Sequence, residues 1–176
     1  MTPLGSPLPS FALPDTEGRV WTPDDLPGRA LVVAFVCVHC PYVVHVKPSL
    51  PGILGGLIAE GASVVAVHSN DAVAYPADGP DEVAREARAL GLPYPSLLDA
   101  TQEVARAFGA ACTPDWFVYD GDRRLVYRGQ LDASRPGNGL PVTGEDLVAA
   151  VRAVLAGEAV RGPQRPSLGC NLKWKA

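Results

Sequence analysis

The chain has 176 residues, of which 47% are hydrophobic and 19% charged, a balance that suits one globular domain able to fold around a core without disulfide staples. Its formal net charge of -4 supplies no basic face, so neither nucleic acid nor a membrane is expected as a partner. No apolar run reaches the length of a membrane span, and residues 1–13 hold three prolines and neither Lys nor Arg, which leads to the expectation of a cytoplasmic protein. In a reducing compartment four cysteines point to redox chemistry or metal binding more than to a structural framework.

In chain order, residues 1–29 are polar and proline-rich and read as an N-terminal extension of a single domain spanning 1–176, with a small hairpin around Thr16-Glu17-Gly18. The core is expected over 30–157. Leu31 to Val36 is an apolar run between Pro27-Gly28 and the first cysteine, hence a buried strand. A helix opens at Pro41 and should kink or break at Pro48, and Ser63 to His68 follows as a second strand. Strand, helix, strand makes a right-handed parallel unit. Asp81 to Leu90 predicts a helix stopped by Gly91, then Ser96 to Leu98 a short strand. Asp99 to Gln102 resembles a capping box for a helix ending at Phe108. Trp116–Tyr119 and Leu125–Arg128 flank Asp120-Gly121-Asp122, the chemistry of an antiparallel hairpin. Thr143 starts a last helix through Leu155, and residues 158–176 form a tail. Trp174 beside Leu172 predicts that this tail docks, because both would otherwise be exposed. The sum is an α/β fold with a central mixed sheet flanked by helices.

Chemistry concentrates in "AFVCVHCPYV", residues 34–43. Cys37 and Cys40 fall where a strand's carboxyl end meets a helix N-terminus, whose unpaired N–H groups favour a thiolate. A spacing of three places both sulfurs on one turn, close enough to bond. Cys37 is expected at an exposed turn as the attacking sulfur, and Cys40, shielded in the helix, as the resolving one. His39 and Pro41 tune the pair: a protonated His39 would stabilise the thiolate, whereas the plainer role is a solvated turn histidine. Proline at 41 stands where haem attachment needs histidine. Structural zinc needs a second ligand pair, and His45, His68, Cys112 and Cys170 are scattered singly, so no metal is expected. The activity expected is thiol–disulfide exchange with a protein or small-molecule disulfide and a dithiol electron donor, with no cofactor beyond the redox-active disulfide. A metal carrier or redox-inert module using Cys37, His39 and Cys40 is the alternative from another class.

The stretches "VAFVCVHCPYV", "VVAVHSNDAVAYPADGPDEV", "LLDATQEVARAFGAACTPDWFVYD", "LVYRGQLD" and "LGCNLKWK" resemble the AhpC/TSA-related, peroxiredoxin-like thiol oxidoreductases of the thioredoxin-like group, from residue 31 to the end. The resemblance implies a three-layer α/β/α thioredoxin-like fold and disulfide exchange. It also implies that Thr113-Pro114 is a cis-proline loop packed beside the Cys-x-x-Cys turn, with Thr113 offering its backbone to an extended substrate chain. The sequence departs from thioredoxins at Val36, where a Trp is usual, and at Leu31, where a buried acid handles protons. A peroxiredoxin centre carries Thr or Ser three residues, and Pro seven residues, before its reactive cysteine. Before Cys37 those positions are Ala34 and Ala30, so a thiol peroxidase centred on Cys37 is the second reading. Asn70 and Asp71 leave the sheet at the same edge as Cys37, as polar neighbours or, more ordinarily, as loop caps. Arg128 is either a guanidinium near the site or a strand-end surface charge. Three roles stay open for Cys112 and Cys170: buried free thiols, a disulfide pinning the tail, or a second redox pair.

Overall fold

The computed structural model describes residues 2–176, so Met1, first residue of the 1–29 extension, lies outside the described residues. Strand β3 (Ala30–Val36) occupies the centre of a five-stranded sheet, and all seven of its residues are buried because both faces are covered. It pairs in parallel with β4 (Ala62–His68), which pairs in parallel with β5 (Ser96–Leu98). On its other side β7 (Asp115–Tyr119) runs antiparallel, followed by antiparallel β8 (Leu125–Gly129). The order β5-β4-β3-β7-β8 is the mixed sheet expected, parallel first and closed by a hairpin.

Alternation along β3 divides the core in two. Ala30, Val32, Ala34 and Val36 face α1 (Pro41–Val46), α2 (Leu50–Ala59) and α5 (Glu145–Leu155). Leu31, Val33 and Phe35 face α4 (Glu103–Phe108) and the N-terminal extension. Helix α3 (Pro80–Leu90) packs near β5 and stops at Gly91, whose φ of 60° suits a residue without Cβ. Pro48 lies in a 3-10 turn, Lys47–Ser49, that separates α1 from α2, the break its missing N–H predicts.

The extension forms the small hairpin β1 (Leu13–Pro14) with β2 (Val20–Trp21) and buries Phe11, Leu13 and Leu26 against the sheet. The proposed capping box is only half present. Asp99 accepts from the N–H groups of Val104 and Ala105, but Gln102 takes a left-handed conformation (φ 65°) and turns its side chain to the tail. Its amide donates to the carbonyls of Ser69 and Lys173, and its oxygen accepts from the Lys175 N–H. The tail is therefore docked: Leu172 is buried, and the Trp174 ring lies 4.4 Å from the Arg106 guanidinium. A short ribbon of β6 (Cys112–Thr113) and β9 (Cys170–Asn171) completes the attachment.

Candidate active site

The dithiol turn is shaped by proline chemistry. Pro41 is the first residue of α1, and a residue before proline avoids the helical region, so Cys40 sits extended (φ -61°, ψ 127°) as the cap of the helix. Cys37 lies just past the end of β3. Both are buried, at 2% and 1% exposure, so the exposed turn expected for Cys37 is not formed. The reason is that the Thr113-Pro114 loop and Asp78 pack against it.

Thr113 touches both sulfurs. Its hydroxyl is 3.3 Å from Cys37 Sγ, and its carbonyl accepts from the Cys40 thiol at 3.3 Å. The Thr113–Pro114 bond is cis, as the resemblance implied. The two neighbouring thiols titrate as a pair, so their ionisations belong to both. The Cys40 thiol beside it, followed by burial, pushes the Cys37 ionisation up, and the Asp78 carboxylate adds to this. The neighbouring Cys37 thiol pulls Cys40 down against burial, helped by the Cys170 thiol and by the N–H groups of Val43 and Cys170. The first proton thus leaves the pair early and the second late. Thr113 acts in the other sense, because its hydroxyl favours a thiolate on Cys37 and its carbonyl a thiol on Cys40. With only six residues in α1, these local bonds matter more than a helix dipole.

Asp78 braces the dithiol turn, though nothing in the sequence singles it out. It ends a 3-10 turn, Pro76–Asp78, and its side chain is 1% exposed. One carboxylate oxygen accepts from the Val38 N–H at 2.9 Å and the His39 N–H at 3.4 Å. The other lies 2.7 Å from Asn70 Nδ2 and 2.8 Å from His39 Nδ1. Burial opposes the charge, but the bonds from Asn70, His39 and Val38 hold the carboxyl below its usual range. Lys47 supports the same turn by donating to the Val38 carbonyl at 2.7 Å and pairing with Glu86. Nothing in the spacing of "NDAVAYPADGPDEV" separates Asp78 from its acidic neighbours; only the loop's return under the dithiol does.

Among the described residues, Cys37, His39 and Asp78 offer donor atoms within 4.8 Å of one another. These three could converge on an ion; Cys40 is not in that group. Asp78 already spends its lone pairs on four donors, so the cluster reads more readily as a hydrogen-bonded frame for the turn.

The remaining expectations divide. Asn70 is more than a loop cap, because it bridges Asp78 to the Lys173 N–H, whereas Asp71 caps its own loop at the Val73 N–H. Arg128 is not a surface charge: its side chain is 9% exposed, donates to the Gly109 carbonyl and lies 3.8 Å from Asp115, beside Cys112. His45 meets Ser134 at 2.7 Å. His68 is buried neutral, and burial lowers it to about 4.

All four cysteines are free thiols. In the β6–β9 ribbon Thr113 is opposite Cys170 and Cys112 opposite Asn171. Cross-strand partners share a face and successive residues alternate, so Cys170 lies on the face of Thr113 and Cys112 on the other. Cys112 instead approaches the Pro114 carbonyl at 3.6 Å, and burial pushes its thiol up to about 12. Cys112 and Cys170 are thus unbonded on opposite faces, and Cys170 packs against the buried cluster that holds Cys37 and Cys40. In the ribbon the Thr113 backbone pairs with the chain's own tail. Gly169 makes this possible, since a Cβ there would overlap the Thr113 carbonyl and the Pro114 nitrogen.

Comparison with known proteins places this geometry in context. Residues 4–128 match the AhpC/TSA family. A Mycobacterium tuberculosis H37Rv protein, provisionally named a peroxiredoxin, is 31% identical over 111 residues, 62% of this chain and 65% of its own. The chain thus spans just under two thirds of the length of that relative. A solved structure of a hypothetical protein from Sinorhizobium meliloti 1021 is 48% identical, with a TM-score of 0.98 over 100% of this chain and 97% of that one. A thiol:disulfide interchange protein of the thioredoxin family from Chlorobium tepidum TLS shares the fold at 21% identity, with a TM-score of 0.67 over 88% and 99%. The fold is thioredoxin-like.

Proposed function

Because the chain belongs to the AhpC/TSA family, we propose that it is a thiol–disulfide oxidoreductase working through Cys37 and Cys40. The observation that carries this reading is the pair of neighbouring sulfurs, each held by Thr113 beside the cis Pro114. With the charge on Cys37, favoured by the Thr113 hydroxyl, its thiolate attacks one sulfur of a substrate disulfide. A mixed disulfide forms and the other substrate sulfur leaves as a thiolate. Cys40 gives up its proton and attacks Cys37 Sγ; the mixed disulfide breaks, the second substrate sulfur departs, and the pair ends as a disulfide. Two electrons pass to the substrate, and a dithiol donor restores the pair. Cys37 is assigned the attack because the Cys40 thiol is engaged by the Thr113 carbonyl, whereas Cys37 meets the Thr113 hydroxyl and adjoins the partly exposed His39.

A Cys40→Ser variant should accumulate a mixed disulfide through Cys37 when mixed with a disulfide peptide or protein. A Cys37→Ala variant that still reduces such substrates would sink the proposal. A second reading, reduction of peroxide at Cys37, draws support from the Thr113 hydroxyl 3.3 Å from its sulfur, which supplies from another loop the group that Ala34 lacks. Rapid Cys37-dependent peroxide consumption, with sulfenic acid on Cys37, would favour it over disulfide exchange.

A further inference from the structure

The C-terminal strand occupies the position expected for a bound substrate. β9 adds to the edge of the Thr113-Pro114 loop as an antiparallel strand, with Cys170 opposite Thr113. The side chain of Thr113 on that face reaches Cys37 at 3.3 Å, and its carbonyl reaches Cys40 at 3.3 Å. Cys170 packs against the buried cluster that contains both cysteines. Its placement is fixed on both sides. Gly169 permits close approach to Thr113, and Leu172, Lys173 and Lys175 anchor the chain beyond it through the core, Asn70 and Gln102. A tail serving only to cover the sheet would need Leu172 but would not need a thiol facing the dithiol.

We infer that Cys170 is a third redox-active thiol of this site, an internal stand-in for substrate that exchanges with the oxidised pair at Cys40. The inference rests on the dithiol reading above. In the oxidised chain the Cys170 thiolate attacks Cys40 Sγ. The Cys40–Cys170 bond forms, the Cys37–Cys40 bond breaks, and Cys37 leaves as a thiolate that takes up the proton Cys170 gave away. No electrons are gained or lost overall. The oxidised protein then exists in two forms, one of which pins the tail covalently and frees Cys37 for another attack. Cys112, on the opposite face of the ribbon, takes no part.

Disulfide mapping tests this on the full chain. Wild-type protein is oxidised with diamide, quenched in acid, alkylated at its free thiols and mapped by peptide mass without reduction. Both Cys37–Cys40 and Cys40–Cys170 linkages should appear, the latter with Cys37 alkylated. In a Cys37→Ala variant, Cys40–Cys170 should become the principal disulfide. If wild type forms Cys37–Cys40 but never Cys40–Cys170, the inference is overturned while the dithiol reading stands; a folded variant that keeps Cys170 fully alkylatable or links Cys40 to Cys112 overturns it likewise. Absence of any linkage at Cys40 in wild type removes both. Because the wild-type map alone can decide, a variant that misfolds does not rescue the idea.

Discussion

Replacing Asp78 by Asn should loosen the dithiol turn by an amount that the structure allows to be worked out. The carboxylate accepts from Val38 N–H, His39 N–H and Asn70, and faces His39 Nδ1, through two oxygens inside a side chain only 1% exposed. An amide keeps one acceptor oxygen. In either orientation its NH2 group meets two donors, Asn70 and His39 on one side or the Val38 and His39 N–H groups on the other. Hydrogen bonds to a charged group contribute about 1.5–3 kcal/mol each. The His39 ring can turn to water, so the net loss should be roughly 2–4 kcal/mol, a fall in Tm of about 5–15 °C for a chain of this size. Urea unfolding of the reduced proteins measures it. The pH dependence supplies a second readout. Asp78 is held below the ordinary carboxyl range, so its contribution is present above the unfolded-state pKa and is lost as pH falls through the folded one. Wild type and variant should therefore converge on acidification. Equal stability at neutral pH, within about 0.5 kcal/mol, would refute the assignment of Asp78 as the turn's anchor.

The other perturbations address the sulfurs and the tail. Reduced wild-type protein should show about one thiolate by ultraviolet absorbance at neutral pH, with a midpoint below the ordinary thiol range, because one thiol of the pair is drawn down by the other. A Cys40→Ser variant should shift that transition upward while Cys37 still ionises beside the Thr113 hydroxyl, and a wild-type chain with no thiolate at neutral pH would contradict the paired titration. Gly169→Ala should lift β9 off Thr113, because the clash is with backbone on both sides. The cost should be about 1.5–3 kcal/mol from exposing Leu172. Iodoacetamide should then modify Cys37 and Cys40 faster than in wild type, and an unchanged rate would show that the tail does not cover them.

Much of the fold was legible in the chain because its signals are local. The apolar run from Leu31 to Val36, bounded by Pro27-Gly28, suits a strand covered on both faces, Pro48 interrupts a helix, and Gly91 ends one. The dithiol was legible for the same reason, being four residues long. What escaped depends on segments distant in sequence meeting in space. Asp78 is marked only by the return of its loop beneath Val38 and His39. Gln102 read as half of a capping box, yet a left-handed backbone sends its side chain to a tail 71 residues away. The burial of Cys37 and the separation of Cys112 from Cys170 follow from a two-residue ribbon whose register no periodicity could announce.

The most direct test of the central claim is a redox titration of the Cys37–Cys40 pair. The wild-type chain is equilibrated in thiol–disulfide buffers of graded potential, acid-quenched and mapped by mass. The account predicts a reversible two-electron transition that removes two alkylatable thiols and yields the Cys37–Cys40 linkage. A chain in which both cysteines stay alkylatable across the range, or in which Cys37 passes directly to irreversible oxygen adducts without a disulfide, would contradict it.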